Sequence, residues 1–229
     1  MIIIPEREVY IKVPKAASTT IARLFWSRHR VDQFAKLEAD VATAIRHFLP
    51  LDKVGGRIPV LNGNWFYNRS GAFGWHASYA DLSHIFGAQL QSYRWVASVR
   101  HPVSRLFSVF SFQVAKGRIS ASLTAEDFAA FCEQAIGNGG GLSPQQVIHT
   151  WSQSAWLPPV GTGPELSILR QEDLSADLEK LSGQVPSFST AKIDHINRSF
   201  DGDLDAYISP GLRQKIETHY AVDMARFGY

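Results

Sequence analysis

The stretch that decides the fold is Tyr10-Ile11-Lys12-Val13-Pro14-Lys15-Ala16-Ala17-Ser18-Thr19-Thr20-Ile21. The apolar pattern of residues 8–13 predicts a strand, which ends at Pro14 because proline cannot donate a hydrogen bond within a sheet. The three hydroxyl residues after the alanines are good N-cap residues, so we predict a helix over residues 18–29. A strand, turn and helix in this order direct main-chain N–H groups and the positive helix end at one point. Together with Lys15, they predict a site for a phosphate or a related anion.

This turn differs from the standard loop that binds nucleoside triphosphates. That loop has the pattern Gly-x-x-x-x-Gly-Lys-Ser/Thr. Here no glycine occurs between Val13 and Ile21, and Lys15 precedes small residues rather than a hydroxyl residue. An ordinary turn between a strand and a helix, with Lys15 in solvent, is the alternative that the residues leave open.

Hydrophobic periodicity predicts strands and helices in alternation along the chain. Further strands are predicted over residues 93–99 and 166–169, with a short one at 73–77. Helices are predicted over residues 32–48, 78–86, 103–115, 124–137, 172–181 and 210–227. Residues 52–74 are rich in glycine, asparagine and proline, and they are predicted to form an irregular segment that lines a substrate cleft. The alternation predicts a three-layer α/β fold with a central parallel β-sheet flanked by helices.

Length and composition limit the class of protein. The chain has 229 residues, of which 45% are hydrophobic and 19% are charged, so we predict a single globular domain over residues 1–229. Its 23 basic and 21 acidic residues give a formal net charge of +2, which is too balanced for a general nucleic-acid-binding protein. Cys132 is the only cysteine in the sequence, so no internal disulfide can form. The apolar helical pattern around it predicts a buried, unreactive thiol.

A second candidate anion site follows the strand predicted at residues 93–99. The next residues are Arg100-His101-Pro102-Val103-Ser104-Arg105-Leu106-Phe107-Ser108. Arg100 is at the carboxyl end of a buried strand, where open α/β sheets bind their ligands. Ser108 lies about two helical turns further along and can face Arg100, and a guanidinium with a hydroxyl and a helix N-terminus predicts a phosphate site. The alternative is that Arg100 pairs with a carboxylate and that Ser108 is a buried helix residue. Two such sites predict a ligand with two separated anionic groups.

The two segments resemble the cofactor-binding motifs of sulfotransferases that depend on PAPS (3′-phosphoadenosine 5′-phosphosulfate). Lys-Val-Pro-Lys-Ala-Ala-Ser-Thr-Thr at residues 12–20 and Val-Arg-His-Pro-Val-Ser-Arg-Leu-Phe-Ser at residues 99–108 are most similar to the carbohydrate, Golgi-type group. This group includes the heparan 2-O-, chondroitin and HNK-1 sulfotransferases. The family usually has aspartate where His101 stands. Residues 168–174, 195–199 and 223–229 add weaker similarity, and the whole resemblance implies a P-loop-like α/β fold.

The resemblance also implies a role for each motif. Lys15 and the main chain of the next five residues would bind the 5′-phosphosulfate of PAPS; these residues are Ala16, Ala17, Ser18, Thr19 and Thr20. Arg100 and Ser108 would bind the 3′-phosphate. The acceptor would be a small molecule or a glycan with a free hydroxyl, and no metal, nucleic-acid partner or membrane span is expected.

The start of the sequence bears on the location of the protein. Golgi members of the similar group have a membrane anchor, whereas residues 1–7 are too short and too soon charged for a signal peptide or a membrane span. We therefore expect a cytoplasmic protein.

Sulfuryl transfer needs a group that stabilises the leaving phosphate and a base for the acceptor hydroxyl. Lys15 is predicted to stabilise the bridging oxygen as the S–O bond breaks. Histidine is the natural base near neutral pH. His76 is the leading candidate, because Gly74-Trp75-His76-Ala77-Ser78-Tyr79 resembles a histidine-containing segment of the 2-O-sulfotransferases. Three alternatives stay open: a core position for His76, His149 as the base, and a carboxylate as the base.

Two other classes of function stay open from the residues. A metal-dependent P-loop kinase for a small molecule would need a Gly-Lys-Ser/Thr junction and an acidic residue at the end of a core strand. This chain lacks that junction and has Arg100 at the end of the strand predicted over residues 93–99. A non-catalytic module that binds a nucleotide or a sugar would keep Lys15 and Arg100 but would need no base beside them.

Overall fold

Strands and helices alternate along much of the chain. The computed structural model describes residues 2–4, 8–21, 57–60, 63–68, 71–74, 78–86, 91–137, 140–184 and 203–229. The strands are β1 (Ile2–Ile4), β2 (Glu8–Ile11), β3 (Arg57–Val60), β4 (Gly63–Asn68), β5 (Gly71–Gly74), β6 (Arg94–Val99) and β7 (Leu166–Arg170). The helices are α1, whose described residues are 18–21, and α2 (Tyr79–Phe86), α3 (Pro102–Ala115), α4 (Ala125–Ile136), α5 (Pro144–Thr150), α6 (Leu174–Gln184), α7 (Pro210–His219) and α8 (Ala221–Phe227). Short 3-10 turns occur at Gln153–Trp156 and Leu204–Tyr207.

The contacts between residues divide the chain into two units. The first is formed by Met1–Val99 and Ala155–Asp194, and the second by Arg100–Ser154 and His195–Tyr229. The single domain over residues 1–229 stays a prediction beside this division. No helix within the described ranges is long and apolar enough to cross a membrane.

The first unit contains a four-stranded sheet in the order β1-β2-β6-β7. β1 pairs with β2 in the antiparallel sense, whereas β2, β6 and β7 are parallel to one another. β2 is buried along its whole length and β6 from Trp95 onward, which is typical of strands covered on both faces. α2 packs on β6 through the rings of Tyr79 and Trp95, whose centres are 5.2 Å apart, and α6 is tied to β7 by the Arg170 N–H, which donates to Asp177 (2.7 Å). The predicted α/β fold with a central parallel sheet flanked by helices is confirmed.

The region predicted to be irregular, residues 52–74, contains a second sheet, so that prediction was wrong. β3, β4 and β5 form an antiparallel meander with two connections of two residues each. The glycine and asparagine residues that favoured an irregular segment stand at strand ends: Gly63 and Asn68 bound β4, and Gly71 and Gly74 bound β5. Glycine and asparagine are favoured in tight turns, and here they are the first and last residues of the strands.

Three helix predictions, over residues 78–86, 103–115 and 124–137, agree with the structure to within one residue at each end, because their caps are local. The helix predicted over residues 172–181 begins two residues later and ends three residues later, as α6 (Leu174–Gln184). Thr124 accepts the Asp127 N–H at the start of α4, and Ser78 accepts the Asp81 N–H at the start of α2. The strand predicted at residues 8–13 ends two residues early, at Ile11. The helix predicted at residues 32–48 lies outside the described residues.

The final helix, predicted as one element over residues 210–227, is divided at Tyr220. The main chain at Tyr220 has φ −97° and ψ 28°, outside the helical range. Its side chain is buried, and its hydroxyl donates to the main-chain oxygen of Thr150. The prediction of one continuous helix was wrong because this buried contact, between residues far apart in sequence, determines where α7 ends and α8 begins.

The second unit has an aromatic core between α3, α4 and the 3-10 turn Leu204–Tyr207. The rings of Phe107 and Phe128 meet edge to face with centres 5.0 Å apart, and those of Phe110 and Phe128 are 5.4 Å apart. The thiol of Cys132 is buried beside them, and burial raises its pKa, as expected for an unreactive cysteine. Phe128 is therefore the centre of this core.

Replacing Phe128 with alanine tests the importance of this core. Phe128 is 0% exposed, and Phe128→Ala should lower the free energy of unfolding by about 3–5 kcal/mol because it leaves a cavity that the neighbours cannot fill. Val222, 66% exposed in the same unit, is the control, and Val222→Ala should change that free energy by less than about 0.5 kcal/mol. Urea denaturation provides the measurement. Equal effects of the two substitutions would show that the aromatic core is not what stabilises the unit.

Candidate functional site

The turn after β2 has a strained main chain. Lys15 has φ 63° and Ala17 has φ 55°, so two residues with side chains occupy the left-handed region, at a cost of about 1–2 kcal/mol each. α1 begins directly after them, and its Ile21 N–H donates to the Ala17 carbonyl (3.1 Å). Successive main-chain N–H groups in turns of this kind form concave anion-binding sites. Such strain is concentrated at functional sites, so the turn at residues 14–17 is a candidate binding site.

The side chains of this segment differ in exposure. Ala16, Ser18 and Thr20 are buried, Thr19 is exposed, and Lys15 and Ala17 are half-buried. The buried hydroxyls of Ser18 and Thr20 therefore lie within the unit, whereas Lys15 keeps access to solvent. The helix start predicted within the hydroxyl triplet is confirmed, because residues 18–21 are helical.

Lys12, at the exit of β2, provides a second ammonium group. Only 8% of the residue is exposed, and burial lowers the pKa of its side chain. A charge with little hydration attracts a neighbouring anion more strongly than a charge on a hydrated surface. No local pattern in the sequence predicts a role for this lysine.

The ends of β2 and β6 define one edge of the sheet in the first unit. The two strands are parallel neighbours, with Ile11 opposite Ala97. Their carboxyl ends therefore lie at the same edge, which is where open α/β sheets bind ligands. At the end of β6, the Val99 carbonyl accepts the Gln171 N–H (2.8 Å), so the residues after β7 hold this strand end in place.

In the second unit, the side-chain amide of Gln153 binds both the N–H and the carbonyl of Arg100. The Arg100 N–H donates to Gln153 Oε1 (2.9 Å), and Gln153 Nε2 donates to the Arg100 carbonyl (2.7 Å). The guanidinium is oriented as well, because Arg100 Nε donates to Ser104 Oγ (3.1 Å). Ser104 in turn donates to the His101 carbonyl (3.1 Å). Arg100 is thus fixed in main chain and side chain.

Ser108, predicted to face Arg100, is buried in α3 with 7% exposure, and its carbonyl accepts the Ser111 hydroxyl (3.4 Å). The guanidinium of Arg100 contacts the hydroxyl of Ser104, one turn closer to the start of the helix, and the role of Ser108 at a phosphate site stays a prediction. The spacing of four residues between Arg100 and Ser104 could have identified this contact, since side chains four apart are neighbours on a helix.

His101, where the similar family usually has aspartate, caps α3. Its Nδ1 accepts the Val103 N–H (3.3 Å), which is the function that an aspartate performs at an N-cap. The Nε2 atom lies 3.9 Å from Glu217 Oε1, and the ring packs against Tyr229 with centres 5.1 Å apart. The ring of His101 therefore caps the start of this helix.

Asp223 is a buried carboxylate that the sequence did not single out as a functional residue. It is 0% exposed. Its oxygens accept three hydrogen bonds, from Ser152 Oγ (2.6 Å), the Gln153 N–H (2.7 Å) and the Ser154 N–H (2.8 Å). The carboxylate thus holds the turn that includes Gln153. These partners lie about seventy positions away in the sequence, so no local pattern could have revealed them.

His149, the second candidate base, lies inside the second unit with 7% exposure. Its Nδ1 is 3.5 Å from Gln113 Nε2, and its carbonyl accepts a hydrogen bond from Arg105 Nη1 (3.1 Å). Arg105 is itself buried, and its other terminal nitrogen donates to the Trp151 carbonyl. Burial lowers the pKa of Arg105, but an arginine of ordinary pKa above 12 stays charged. These contacts are typical of a histidine that supports packing.

His76, the leading candidate base, lies outside the described residues. The segment that follows it starts α2 as predicted: the Ser78 N–H donates to Asp81 Oδ2 (2.8 Å), and the Asp81 N–H donates to Ser78 Oγ (3.2 Å). Within the parts of the chain that the structure describes, no group of three or more histidine, cysteine, aspartate or glutamate side chains could hold a metal ion.

The role of Asp223 can be tested by measuring stability. Asp223→Asn keeps the shape of the side chain, but its amide cannot accept all three hydrogen bonds. We expect the free energy of unfolding to fall by about 1–3 kcal/mol, the usual cost of leaving a buried polar group without its partner. Glu179 is exposed on α6, and Glu179→Gln is the matched control with an expected change below about 0.5 kcal/mol. Unchanged urea midpoints for both variants would contradict the role of Asp223.

Comparison of the sequence with models of known protein families gives a match. The family model described as Sulfotransferase family matches residues 5–229. The match includes the turn at residues 14–17 and the segment from Arg100 to Ser108. A search of the curated proteins found no match to this chain.

Proposed function

The chain belongs to the sulfotransferase family, and we propose that it uses PAPS as donor and a hydroxyl of a carbohydrate or glycoconjugate as acceptor. Family membership supports transfer of a sulfuryl group in general. The observation that supports the proposed donor is the turn at residues 14–17, in which Lys15 and Ala17 adopt left-handed conformations directly before α1. A nest of N–H groups with an ammonium beside it suits a phosphosulfate.

The proposed 5′ site consists of Lys15, the main chain of Ala16 and Ala17, and the start of α1 at Ser18, Thr19 and Thr20. N–H groups at a helix start have no partner within the helix, so they can donate to the anion. The donor set matches the group: a phosphosulfate offers several negatively charged oxygens, and this segment offers N–H groups and an ammonium.

The proposed 3′ site consists of Arg100 and Ser108. A guanidinium matches the geometry of a phosphate and can donate two parallel hydrogen bonds to it. One observation supports this assignment: the main chain of Arg100 is held by Gln153 and its guanidinium by Ser104.

In the proposed mechanism, PAPS supplies the sulfuryl group and a phosphate that leaves with the electrons of the broken S–O bond. Lys15 and the N–H groups of the turn hold the sulfuryl donor in line with the acceptor and stabilise the negative charge that develops on the leaving oxygen. His76 accepts the proton of the acceptor hydroxyl as its oxygen bonds to sulfur. A sulfuryl group has less charge than a phosphoryl group, so we propose that these donors act without a metal ion.

An assay with sulfur-labelled PAPS and a panel of sugars and phenols tests the proposal. Transfer of the label to a sugar supports it. Transfer to phenols alone would refute the carbohydrate acceptor. Tight binding of PAPS without transfer to any acceptor would favour a non-catalytic nucleotide-binding or sugar-binding module, and phosphorylation driven by ATP would favour a kinase. A cytoplasmic location stays a prediction, which fractionation of cells can test.

Lys15→Ala should reduce turnover by roughly 10²–10³-fold, the usual effect of removing one donor that stabilises charge in the transition state. The rate of label transfer at saturating PAPS is the measurement. Lys180 has an exposed side chain on α6, and Lys180→Ala is a control that should leave the rate unchanged. Turnover by Lys15→Ala within about twofold of the native rate would contradict the assignment.

His76→Ala should lower turnover by about 10²–10⁴-fold, the range for loss of a general base, while the affinity for the desulfonated cofactor stays the same. Single-turnover rates and calorimetric titration separate the two quantities. The exposed His219 provides the control substitution His219→Ala. If turnover survives in His76→Ala, the base is a different group, and His149 and the carboxylates are the next to be replaced.

A further inference from the structure

Gln153 has contacts that are unusual for a residue outside the proposed site. Its side chain is fully buried, and both ends of its amide bind the main chain of Arg100. The two residues are fifty-three positions apart, so the contact is tertiary rather than part of a local turn. Because acceptor and donor both bind one residue, this amide fixes the position and the orientation of the Arg100 main chain.

The main chain at Gln153 is itself held by a buried carboxylate. Its main-chain N–H donates to Asp223 Oδ2 (2.7 Å), and Asp223 Oδ1 accepts the Ser154 N–H (2.8 Å). Gln153 is thus held by a buried carboxylate on α8 and in turn holds Arg100. Buried hydrogen-bonded groups of this kind keep a functional side chain in one geometry.

We propose that Gln153 is a positioning residue that presents the Arg100 guanidinium to the 3′-phosphate of the nucleotide, with Asp223 as its support. The inference rests on the proposed function of Arg100. In this proposal Gln153 does not contact the ligand. It restricts the conformational freedom of Arg100, which does. Less freedom lost on binding gives higher affinity, and a displacement of about 1 Å can cost roughly 100-fold in function.

A ligand pair isolates this role from general stability. Adenosine 3′,5′-bisphosphate and adenosine 5′-phosphate differ only in the 3′-phosphate. The dissociation constant of the 5′-phosphate divided by that of the bisphosphate therefore measures what the 3′-phosphate contributes to binding. A substitution that only destabilises the fold weakens the binding of both nucleotides and leaves the ratio unchanged. A substitution that displaces Arg100 lowers the ratio.

The test compares two buried glutamines of the second unit. Gln153→Met removes the amide at nearly constant volume. Gln146 has the same chemistry elsewhere: its Oε1 accepts the Ser143 N–H (2.7 Å), and its Nε2 donates to the Arg118 carbonyl (3.4 Å). Gln146→Met is therefore the matched control. Calorimetric titration of the full chain with both nucleotides gives the ratio, and thermal unfolding reports the stability of each variant.

We expect Gln153→Met to lower the ratio by about tenfold, the loss that corresponds to one hydrogen-bonding interaction of a charged group, and Gln146→Met to leave it unchanged. Arg100→Ala should lower the ratio by about 10–100-fold. If Gln153→Met does not fold, Gln153→Glu replaces it, because the carboxylate keeps the acceptor for the Arg100 N–H and loses the donor to its carbonyl. The same loss is expected.

The two possible failures are distinguishable. If Arg100→Ala lowers the ratio but Gln153→Met and Gln146→Met both keep the native ratio, the positioning role is overturned and the proposed 3′ site stays intact. A ratio unchanged in Arg100→Ala would refute the proposed role of Arg100, and the inference with it.

Discussion

The pairing of β2 with β6 is the constraint from which the proposed chemistry follows. The two strands are parallel, so they must be joined by a long connection, and their carboxyl ends must lie at one edge of the sheet. Both strands are almost wholly buried, which makes a shift of register costly. The turn that contains Lys15 follows the first of these strands, so the sheet determines where this turn begins.

The two segments differ in how they can hold an anion. In the proposed function, the turn at residues 14–17 would bind its anion through main-chain N–H groups, whose positions depend on the left-handed conformations of Lys15 and Ala17. Each of these conformations costs about 1–2 kcal/mol, and the surrounding structure must offset that cost. Arg100 would instead bind an anion through its side chain, which has many rotamers and needs neighbours to orient it. Ser104 and Gln153 supply that orientation.

Buried polar groups connect the last helix of the chain to Arg100. A carboxylate without partners in the interior would cost several kcal/mol, but Asp223 accepts hydrogen bonds from three consecutive residues. The hydroxyl of Tyr220 donates to the Thr150 carbonyl nearby. Burial raises the pKa of Tyr220 to about 12, so the phenol stays protonated. The division between α7 and α8 allows Tyr220 and Asp223 to make these contacts.

The sequence by itself determined the elements whose signals are local. Pro102 at the start of α3 and Thr124 at the start of α4 act on their immediate neighbours, and both predictions agreed with the structure. The strand before Pro14 formed as predicted but ended two residues earlier, at Ile11. The resemblance of residues 12–20 and 99–108 to sulfotransferase motifs was likewise visible in short segments, and the family match is consistent with it.

Tertiary structure alone decided the features that depend on distant partners. The meander in residues 57–74 forms by pairing between strands, where glycine and asparagine by themselves indicated an irregular segment. The break at Tyr220 and the contacts of Gln153 and Asp223 join residues fifty-three to seventy positions apart. Periodicity and capping report on the nearest four residues of a chain, so the groups that fix Arg100 become visible only when the folded chain brings them together.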